Sequence, residues 1–137
     1  MPNQKNRVIV DSNIWISFLL TGTFSQLENL ILNTDVTILY SEELINEFVE
    51  VAQRDKFKKY FDIEDVENLL IQIKNHSEFV TITSEVYACR DPKDNFLLSL
   101  TVDGKATHLI TGDKDLLVIK KFGNTQILTL KEYLIDK

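Results

Sequence analysis

Three acidic side chains lie where carboxylate chemistry can be assembled. Asp11 comes directly after a short apolar run, Asp113 follows another such run after Thr111 and Gly112, and Asp94 lies in the first turn of a predicted helix. The carboxyl ends of parallel strands and the first turns of the following helices meet at one edge of an α/β sheet, so we expect these carboxylates to share a small volume. Like charges that close raise one another's pKa unless a cation compensates, and Mg²⁺ is held by a few carboxylates plus waters. The spacing therefore predicts a divalent-cation site at that edge.

A fourth carboxylate is expected from the helix that follows the second predicted strand. Successive helical residues are turned by about 100°, which places Glu47 about 40° outside the border of the buried stripe at Val51. A side chain on that border can reach a groove beside the packed face. Glu47 is therefore the expected fourth ligand, and Glu42, near the opposite border, is a weaker rival.

Each acid also has an ordinary structural explanation. Asp is common in turns after strands, which would account for Asp11 and Asp113. Asp91 is expected to cap the helix that begins after it, and Asp94 could serve only as an acid that favours the helix dipole. Glu47 could be a solvated helix position. The combination favours a site, because independent turn and cap requirements would not order all of these acids onto one sheet edge.

Length and composition describe one ordinary globular domain. The 137 residues are 44% hydrophobic and 26% charged, which is close to globular averages. No apolar run approaches the ~18 to 20 residues that cross a bilayer, and the start carries no signal-peptide pattern. We therefore expect a single domain over residues 1–137 that is cytoplasmic and has no membrane partner. One cysteine and two histidines exclude disulfide and structural-zinc scaffolds.

What the net charge implies about nucleic-acid binding depends on how the acids are distributed along the chain. The chain has 15 Lys and Arg against 21 Asp and Glu, a formal net charge of -6. An even spread of acids would argue against nucleic-acid binding, which usually uses a basic surface. Assigning four acids to a cation site leaves 17 acids against 15 bases on the rest of the chain. The net acidity therefore does not exclude nucleic-acid binding.

Apolar patterning predicts strands that alternate with helices. The predicted strands are Arg7–Val10, Val36–Tyr40, Phe79–Ile82, Thr107–Ile110 and Gln126–Leu128. The predicted helices cover about 14–20, 25–33, 42–54, 62–75 and 91–104, with a short helix from Asp115 and a last one capped by Thr129. This alternation indicates a three-layer α/β/α sandwich with a mostly parallel, Rossmann-like central sheet.

Four segments in this order resemble the acidic motifs of PIN-domain ribonucleases, and most closely those of the toxins of type II toxin-antitoxin systems. The segments are Val8-Ile-Val-Asp11-Ser-Asn-Ile-Trp15, Ser41-Glu-Glu-Leu-Ile-Asn-Glu47-Phe48, Cys89-Arg-Asp91-Pro-Lys-Asp94-Asn-Phe-Leu97 and Leu109-Ile-Thr111-Gly-Asp113-Lys-Asp115-Leu-Leu117. Each motif alone is weak, but the four in order are specific and span essentially the whole chain. The resemblance implies a PIN-like fold, an acidic site with one or two Mg²⁺ or Mn²⁺ ions, and single-stranded RNA as substrate.

The resemblance also assigns roles to individual residues. The metal-binding and catalytic acids would be Asp11, Glu47, Asp94 and Asp113, hereafter the four-acid set. Ser12, Asn13 and Thr111 match supporting polar residues, while Asp91 and Asp115 are extra acids that could support the site or act as alternative ligands. The family further implies a cognate antitoxin protein and a homo-oligomer as expectations.

A basic segment could hold the RNA. Arg54, Lys56, Lys58 and Lys59 follow the Glu47 helix with aromatic residues between them, and Lys114 lies beside the site. The same pattern would arise if the charged residues only face water at the end of a helix, above aromatic residues that belong to the core. The alternative is a rim that contacts phosphates and stacks bases.

The predicted reaction is a metal-dependent endonucleolytic cut of single-stranded RNA that leaves a 5'-phosphate and a 3'-hydroxyl. Two alternatives remain. A haloacid-dehalogenase-like phosphatase also has an Asp after its first strand, but it needs a second Asp two residues later, where this chain has Asn13. The other is a PIN-like binding module without significant catalysis.

Overall fold

The computed structural model describes residues 6–22, 29–30 and 32–135. Its six-stranded sheet has the order β3-β2-β1-β4-β6-β5. The strands are β1 (Asn6–Val10), β2 (Val36–Tyr40), β3 (Ser77–Phe79), β4 (His108–Ile110), β5 (Lys121–Phe122) and β6 (Thr125–Leu128). Every neighbouring pair is parallel except β5 and β6, which are antiparallel.

Helices cover both faces of this sheet. They are α1 (Ser12–Thr21), α2 (Glu42–Ala52), α3 (Ile63–His76), α4 (Asn95–Asp103), α5 (Lys114–Leu117) and α6 (Leu130–Ile135), with 3-10 turns at Asp55–Phe57 and Pro92–Asp94. The helix predicted over 25–33 falls largely outside the described residues. In the part of the chain that the structure describes, no helix has the length and apolar character needed to span a membrane.

Successive side chains of a strand point to opposite faces of the sheet, and in β1 both faces are covered by helices. Val8 and Val10 are fully buried on one face, in a cluster with residues of α1, α2 and α3 such as Phe48. Ile9 is fully buried on the other face, where it packs in a cluster with Leu97 and other residues of α4. A strand that is apolar at consecutive positions can bury both faces only between two helical layers. The predicted three-layer α/β/α sandwich with a mostly parallel sheet is confirmed.

Polar caps fix where several helices begin. The Ser41 hydroxyl accepts a hydrogen bond from the Leu44 amide at 3.2 Å, so α2 begins where the sequence predicts. Asp62 and Asp65 form a reciprocal capping box at the start of α3. Such caps satisfy amide groups that have no partner inside the helix, which is why short polar side chains mark these boundaries reliably.

Three details of the predicted fold were wrong. The third strand was placed at Phe79–Ile82, but the pairing covers Ser77–Phe79 because α3 leads directly into the strand and β2 ends at Tyr40. Strand β5 was not predicted; it has two residues, too few for a hydrophobic period. The apolar spacing of the helix predicted over 62–75 also places Ile63 on its core face, yet Ile63 is 51% exposed because it lies in the first turn of α3.

The parallel order places the carboxyl ends of β1, β2 and β4 at one edge of the sheet, hereafter the site edge. At the opposite edge, the Arg7 guanidinium donates to both carboxylate oxygens of Glu78, at 3.1 and 2.6 Å, and to the carbonyl of Gly104 at 2.8 Å. Gly104 also allows a close approach, since a Cβ there would lie 2.8 Å from Cδ1 of Leu39. These contacts tie β1, β3 and the end of α4 together away from the site.

Candidate active site

Asp11 is the most buried acid at the site edge. It follows β1 and is only 3% exposed. It occupies the N-cap position of α1, but its side chain makes no capping hydrogen bond. Its Oδ2 instead accepts a hydrogen bond of 2.8 Å from the Thr111 hydroxyl. The carboxylate is therefore directed into the site, and a turn or cap role does not account for it.

Thr111 also positions Asp113. The Thr111 oxygen accepts a hydrogen bond from the Asp113 amide at 3.0 Å, and Thr111 itself is fully buried. Asp113 then caps α5, because its Oδ1 accepts from the amide of Asp115 at 2.9 Å. The capping explanation thus holds for one oxygen of Asp113, and the Asp113 carboxyl also lies beside Asp94.

Glu47 reaches the site from α2. The hydroxyl of Ser12, which is fully buried, donates to Oε1 of Glu47 at 2.5 Å and lies 3.4 Å from Oδ1 of Asp11. Ser12 therefore joins the two carboxylates. Glu47 itself is partly buried, on the border of its helix's packed face. Its rival Glu42 is exposed at the start of the same helix.

Asp94 enters the site at the end of the second 3-10 turn. It is 9% exposed, and its Oδ2 is buried without a hydrogen-bond partner among the described residues. Asp91 precedes it as the expected cap, with Oδ1 accepting from the Lys93 amide at 3.1 Å and its carbonyl accepting from the Asp94 amide at 3.0 Å. A buried carboxylate oxygen that lacks a donor is costly to charge unless something else compensates.

The electrostatics of the site favour a cation. The pKa of Asp94 is raised to about 8, most strongly by burial, next by the adjacent Asp113 carboxyl, and least by the charges of Asp11 and Asp91. Burial likewise raises the pKa of Asp11, although the Thr111 hydrogen bond opposes this. Desolvation also raises the pKa of Glu47 against the hydrogen bond from Ser12. A divalent ion would reverse these shifts, so the oxygen-only ligand set fits Mg²⁺ or Mn²⁺.

The structure also groups acids in a way that the sequence did not emphasise. Asp91, Asp94 and Asp115 each offer an oxygen, and these oxygens all lie within 4.8 Å of one another. Among the described residues, no set of three that includes Asp11, Glu47 or Asp113 is as close. Arg90 closes this group on one side, with its Nη2 2.9 Å from Oδ1 of Asp115.

Arg90 was missed by sequence reasoning. Its position directly before Asp91 was a possible signal, but its contact depends on how the preceding segment folds. That segment is fixed by its own hydrogen bonds: the Cys89 amide donates to Oδ1 of Asn95 at 3.0 Å, and the amide of Thr83 donates to Asp103 at 2.7 Å. Of the predicted supporting residues, Asn13 has an exposed side chain.

The basic segment lies beyond the end of α2 and is partly neutralised. Arg54 pairs with Glu50 at 3.7 Å, and Lys58 pairs with Asp55 at 3.0 Å. The remaining two lysines lie over aromatic rings, Lys56 at 5.1 Å from the centre of Phe57 and Lys59 at 5.3 Å from that of Tyr60. Lys114 is exposed beside Asp113. Tyr60 is 58% exposed, so its ring is accessible for stacking.

A six-stranded, mostly parallel sheet with buried carboxylates at one edge defines an α/β domain with an acidic site. Residues 7–115 match the PIN domain family. The chain therefore belongs to this family, whose members are generally nucleases.

Two solved structures share this fold. One is the PIN domain endonuclease Utp24, with a TM-score of 0.56 and 22% identity over 90% of this chain and 84% of that chain. The other is VapBC2 from Rickettsia felis, bound to a DNA fragment from their promoter, with a TM-score of 0.58 and 16% identity over 88% of this chain and 96% of that chain. Among curated protein sequences, none matches significantly.

Proposed function

We propose that this PIN domain is a divalent-metal-dependent endoribonuclease that cleaves single-stranded RNA, and that it serves as the toxin of a toxin-antitoxin pair. One observation carries the proposal: Asp94 places a buried, unpartnered carboxylate oxygen beside the acids of the site edge. Such an arrangement is unfavourable without a cation and favourable with one.

The four-acid set would hold one or two Mg²⁺ or Mn²⁺ ions. A divalent cation bound there supplies charge that activates water and offsets the negative charge on the leaving oxygen. The chain's own polar groups keep the ligands in place. Thr111 orients Asp11 and the backbone of Asp113, while Ser12 orients Glu47. Because these hydroxyl groups are fully buried, they hold the carboxylates without rearrangement.

Glu47 is assigned the proton-accepting role. Unlike Asp11 and Asp94, it is only partly buried, so an attacking water can reach its carboxylate. A route through the 2'-hydroxyl would need a different base. His76 is exposed at the end of α3, and the His108 ring packs against Tyr133 at the other edge of the sheet, so neither serves the site.

The names of the two structural neighbours support the biological role. One neighbour is named an endonuclease, and the other is a toxin-antitoxin complex bound to DNA. A cognate antitoxin is therefore proposed as a partner, while a homo-oligomer and a cytoplasmic location stay predictions. The family match favours a nuclease over the phosphatase alternative, whose second Asp is replaced by an exposed Asn13.

The test is cleavage of a single-stranded RNA by the purified full chain. We expect cleavage with Mn²⁺ or Mg²⁺ that yields 5'-phosphate and 3'-hydroxyl ends, and its loss in excess EDTA or in Asp11→Asn. Glu67→Gln, an exposed acid of α3, is the matched control and should cleave normally. Full cleavage in EDTA would overturn the metal-dependent mechanism. A protein that binds RNA and metal but never cleaves would favour the binding-module alternative.

A further inference from the structure

We infer that residues 77–83, hereafter the open edge, pair with the same residues of a second copy of this chain, so that two sheets join into one across a two-fold axis. The open edge contains β3, one of the two outermost strands of the sheet. A homo-oligomer was expected without any surface assigned to it, and the open edge is such a surface. The inference uses none of the acids of the site edge and does not depend on the proposed function.

The backbone of β3 is paired on one side only. The strand is parallel to β2, with Phe79 opposite Tyr40, and the Val80 amide donates to the Tyr40 carbonyl at 2.8 Å. The N–H and C=O groups of successive residues in a strand point to opposite sides, so those of Phe79 and Thr81 point away from β2. Neither residue has another backbone partner among the described residues. These groups are therefore available to a further strand.

The chain stays extended beyond the paired residues. Along 79–83, Val80 is buried and Ile82 is half-buried, while the residues on either side of them are exposed. A burial period of two residues is typical of extended chain. The Thr83 amide then donates to the Asp103 carboxylate at 2.7 Å, which ends the open edge.

The open edge has none of the features that keep a strand from pairing with another chain. Its sequence, Ser77-Glu-Phe-Val-Thr-Ile-Thr83, has no lysine, proline or glycine. Its one charge, on Glu78, is already paired with Arg7 at 2.6 Å. The other outermost strand, β5, is protected, since it has only two residues and carries Lys120 and Lys121 at its start. Because exposed edges normally have such protection, its absence here indicates that a partner covers the open edge.

The open edge is complementary to itself. When two copies pair antiparallel about Val80, Phe79 lies opposite Thr81 of the second copy, and Glu78 lies opposite Ile82. The outward N–H and C=O groups of Phe79 and Thr81 then form a hydrogen-bonded pair. No like charges are opposed, and the Phe79 ring, which is 52% exposed, packs on the methyl group of Thr81. A second copy therefore satisfies the backbone and side chains of the open edge in one register.

This pairing leaves both acidic sites uncovered. Antiparallel pairing reverses the strand direction between the two copies, so the carboxyl ends of their parallel strands face opposite directions. Each site edge stays open to solvent. Self-association and cleavage should therefore be separable, and variants of the open edge should cleave RNA as the wild type does.

Sedimentation equilibrium of the full chain measures the self-association. We expect the wild type to show an average mass that rises with concentration towards twice the 15.9 kDa of one chain. Thr81→Pro removes an outward N–H from each copy and should raise the dissociation constant by about tenfold or more. Glu85→Pro lies in the same segment past the open edge and is the matched control, which should associate like the wild type. A wild type that stays monomeric at every concentration would overturn the inference.

A cysteine variant tests the register independently. In the inferred pairing the two Val80 residues form a non-hydrogen-bonded pair with Cα atoms about 4.5 Å apart, a separation that allows a disulfide. In a Cys89→Ser background, Val80→Cys should form a covalent dimer on oxidation. Thr83→Cys should not, because Thr83 would lie opposite Ser77 of the second copy. Gel electrophoresis without reductant separates the two results.

The two measurements decide the inference together. Crosslinking of Val80→Cys but not of Thr83→Cys, with weaker association of Thr81→Pro, would support the open edge as the interface. A dimer that Thr81→Pro does not weaken and that Val80→Cys does not crosslink uses another surface and would overturn it. If thermal unfolding shows that Thr81→Pro is not folded, the cysteine pair decides alone. None of these outcomes bears on cleavage, so the proposed function is tested separately.

Discussion

The hydroxyl of Thr111 lies 2.8 Å from Oδ2 of Asp11, although the two residues are 100 positions apart in the sequence. This contact joins the ends of β1 and β4, the two strands at the centre of the sheet. It also gives the deepest carboxylate its one side-chain donor at normal hydrogen-bond length. The orientation of Asp11 therefore depends on the strand pairing itself.

Thr111→Val should lower both stability and activity. The substitution keeps the shape of the buried side chain but leaves Asp11 without its donor, which costs about 1 to 3 kcal/mol. Loss of a group that orients a metal ligand typically lowers activity or metal affinity by about 10- to 100-fold. Urea unfolding and RNA cleavage measure the two effects. Thr111→Ser, which retains the hydroxyl, is the control, and equal activity in the Val variant would refute the positioning role.

Asp94→Asn should stabilise the metal-free protein above neutral pH. The folded pKa of Asp94 is raised to about 8 from an ordinary value of 3.8. Between these values the unfolded chain releases the proton and the folded chain keeps it, so the free energy of unfolding falls as pH rises. Even one to two pKa units correspond to about 1.4 to 2.7 kcal/mol. In the variant, the free energy of unfolding, measured with urea in EDTA, should fall less steeply as pH rises. A pH profile identical to that of the wild type would contradict this.

Asp103→Asn is the matched control with the opposite sign. Asp103 accepts hydrogen bonds from Thr83 and Ser84, and these contacts hold its pKa below the ordinary value in spite of desolvation. Its contribution to stability is therefore present at neutral pH and is lost as pH falls through the lowered pKa. The asparagine variant should be less stable at neutral pH and should match the wild type in acid.

Charge reversal in the basic segment should weaken RNA binding. Lys56 and Lys59 make no ion pair among the described residues, whereas Lys58 already pairs with Asp55. The double variant Lys56→Glu/Lys59→Glu should lower affinity and reduce the slope of log affinity against log salt by about 1.4, at about 0.7 per phosphate contact. Fluorescence anisotropy with labelled RNA measures this. Lys74→Glu, near the end of α3, is the control, and an unchanged slope would leave the segment as a solvated helix end.

Gly104→Ala should destabilise the fold without a direct effect on the site. The added Cβ would lie 2.8 Å from Leu39 and 3.0 Å from the carbonyl oxygen of Leu100, so packed atoms must move, at a cost of about 1 to 3 kcal/mol. Gly112→Ala is the matched control, because its Cβ would meet nothing within 4 Å. Urea unfolding should separate the two variants, and equal stability would show that the helix end relaxes freely.

Much of the fold could be predicted because its signals are local. Buried strands are apolar at consecutive positions, and caps such as Ser41 and Asp62 mark helix starts by their own hydrogen bonds. The register of β3 could not be predicted, since an edge strand is paired on one side only and its position depends on where β2 ends. The two-residue β5 carries no period to detect.

The candidate site could likewise be predicted only in part from the sequence. The topology of a parallel sheet was enough to bring Asp11, Asp94 and Asp113 to one edge, and the border position of Glu47 followed from helix geometry. The grouping of Asp91 with Asp115 could not be read from the chain, because it depends on the path of the segment before Arg90. The roles of all these residues in metal binding stay predictions.

The Arg7 contacts indicate how the molecule would respond if the proposed ions were removed from the site. Arg7 fastens β1 to Glu78 and to the end of α4 at the edge opposite the carboxylates, where opposite charges are paired. Repulsion between the carboxylates at the site edge therefore acts on short turns and loops. The pairing of the strands is supported separately by the Arg7 contacts at the opposite edge. If the site holds metal as proposed, its removal should accelerate amide hydrogen exchange around 90–95 and 111–115 and leave β1 protected, so the ions would govern local opening more than global unfolding.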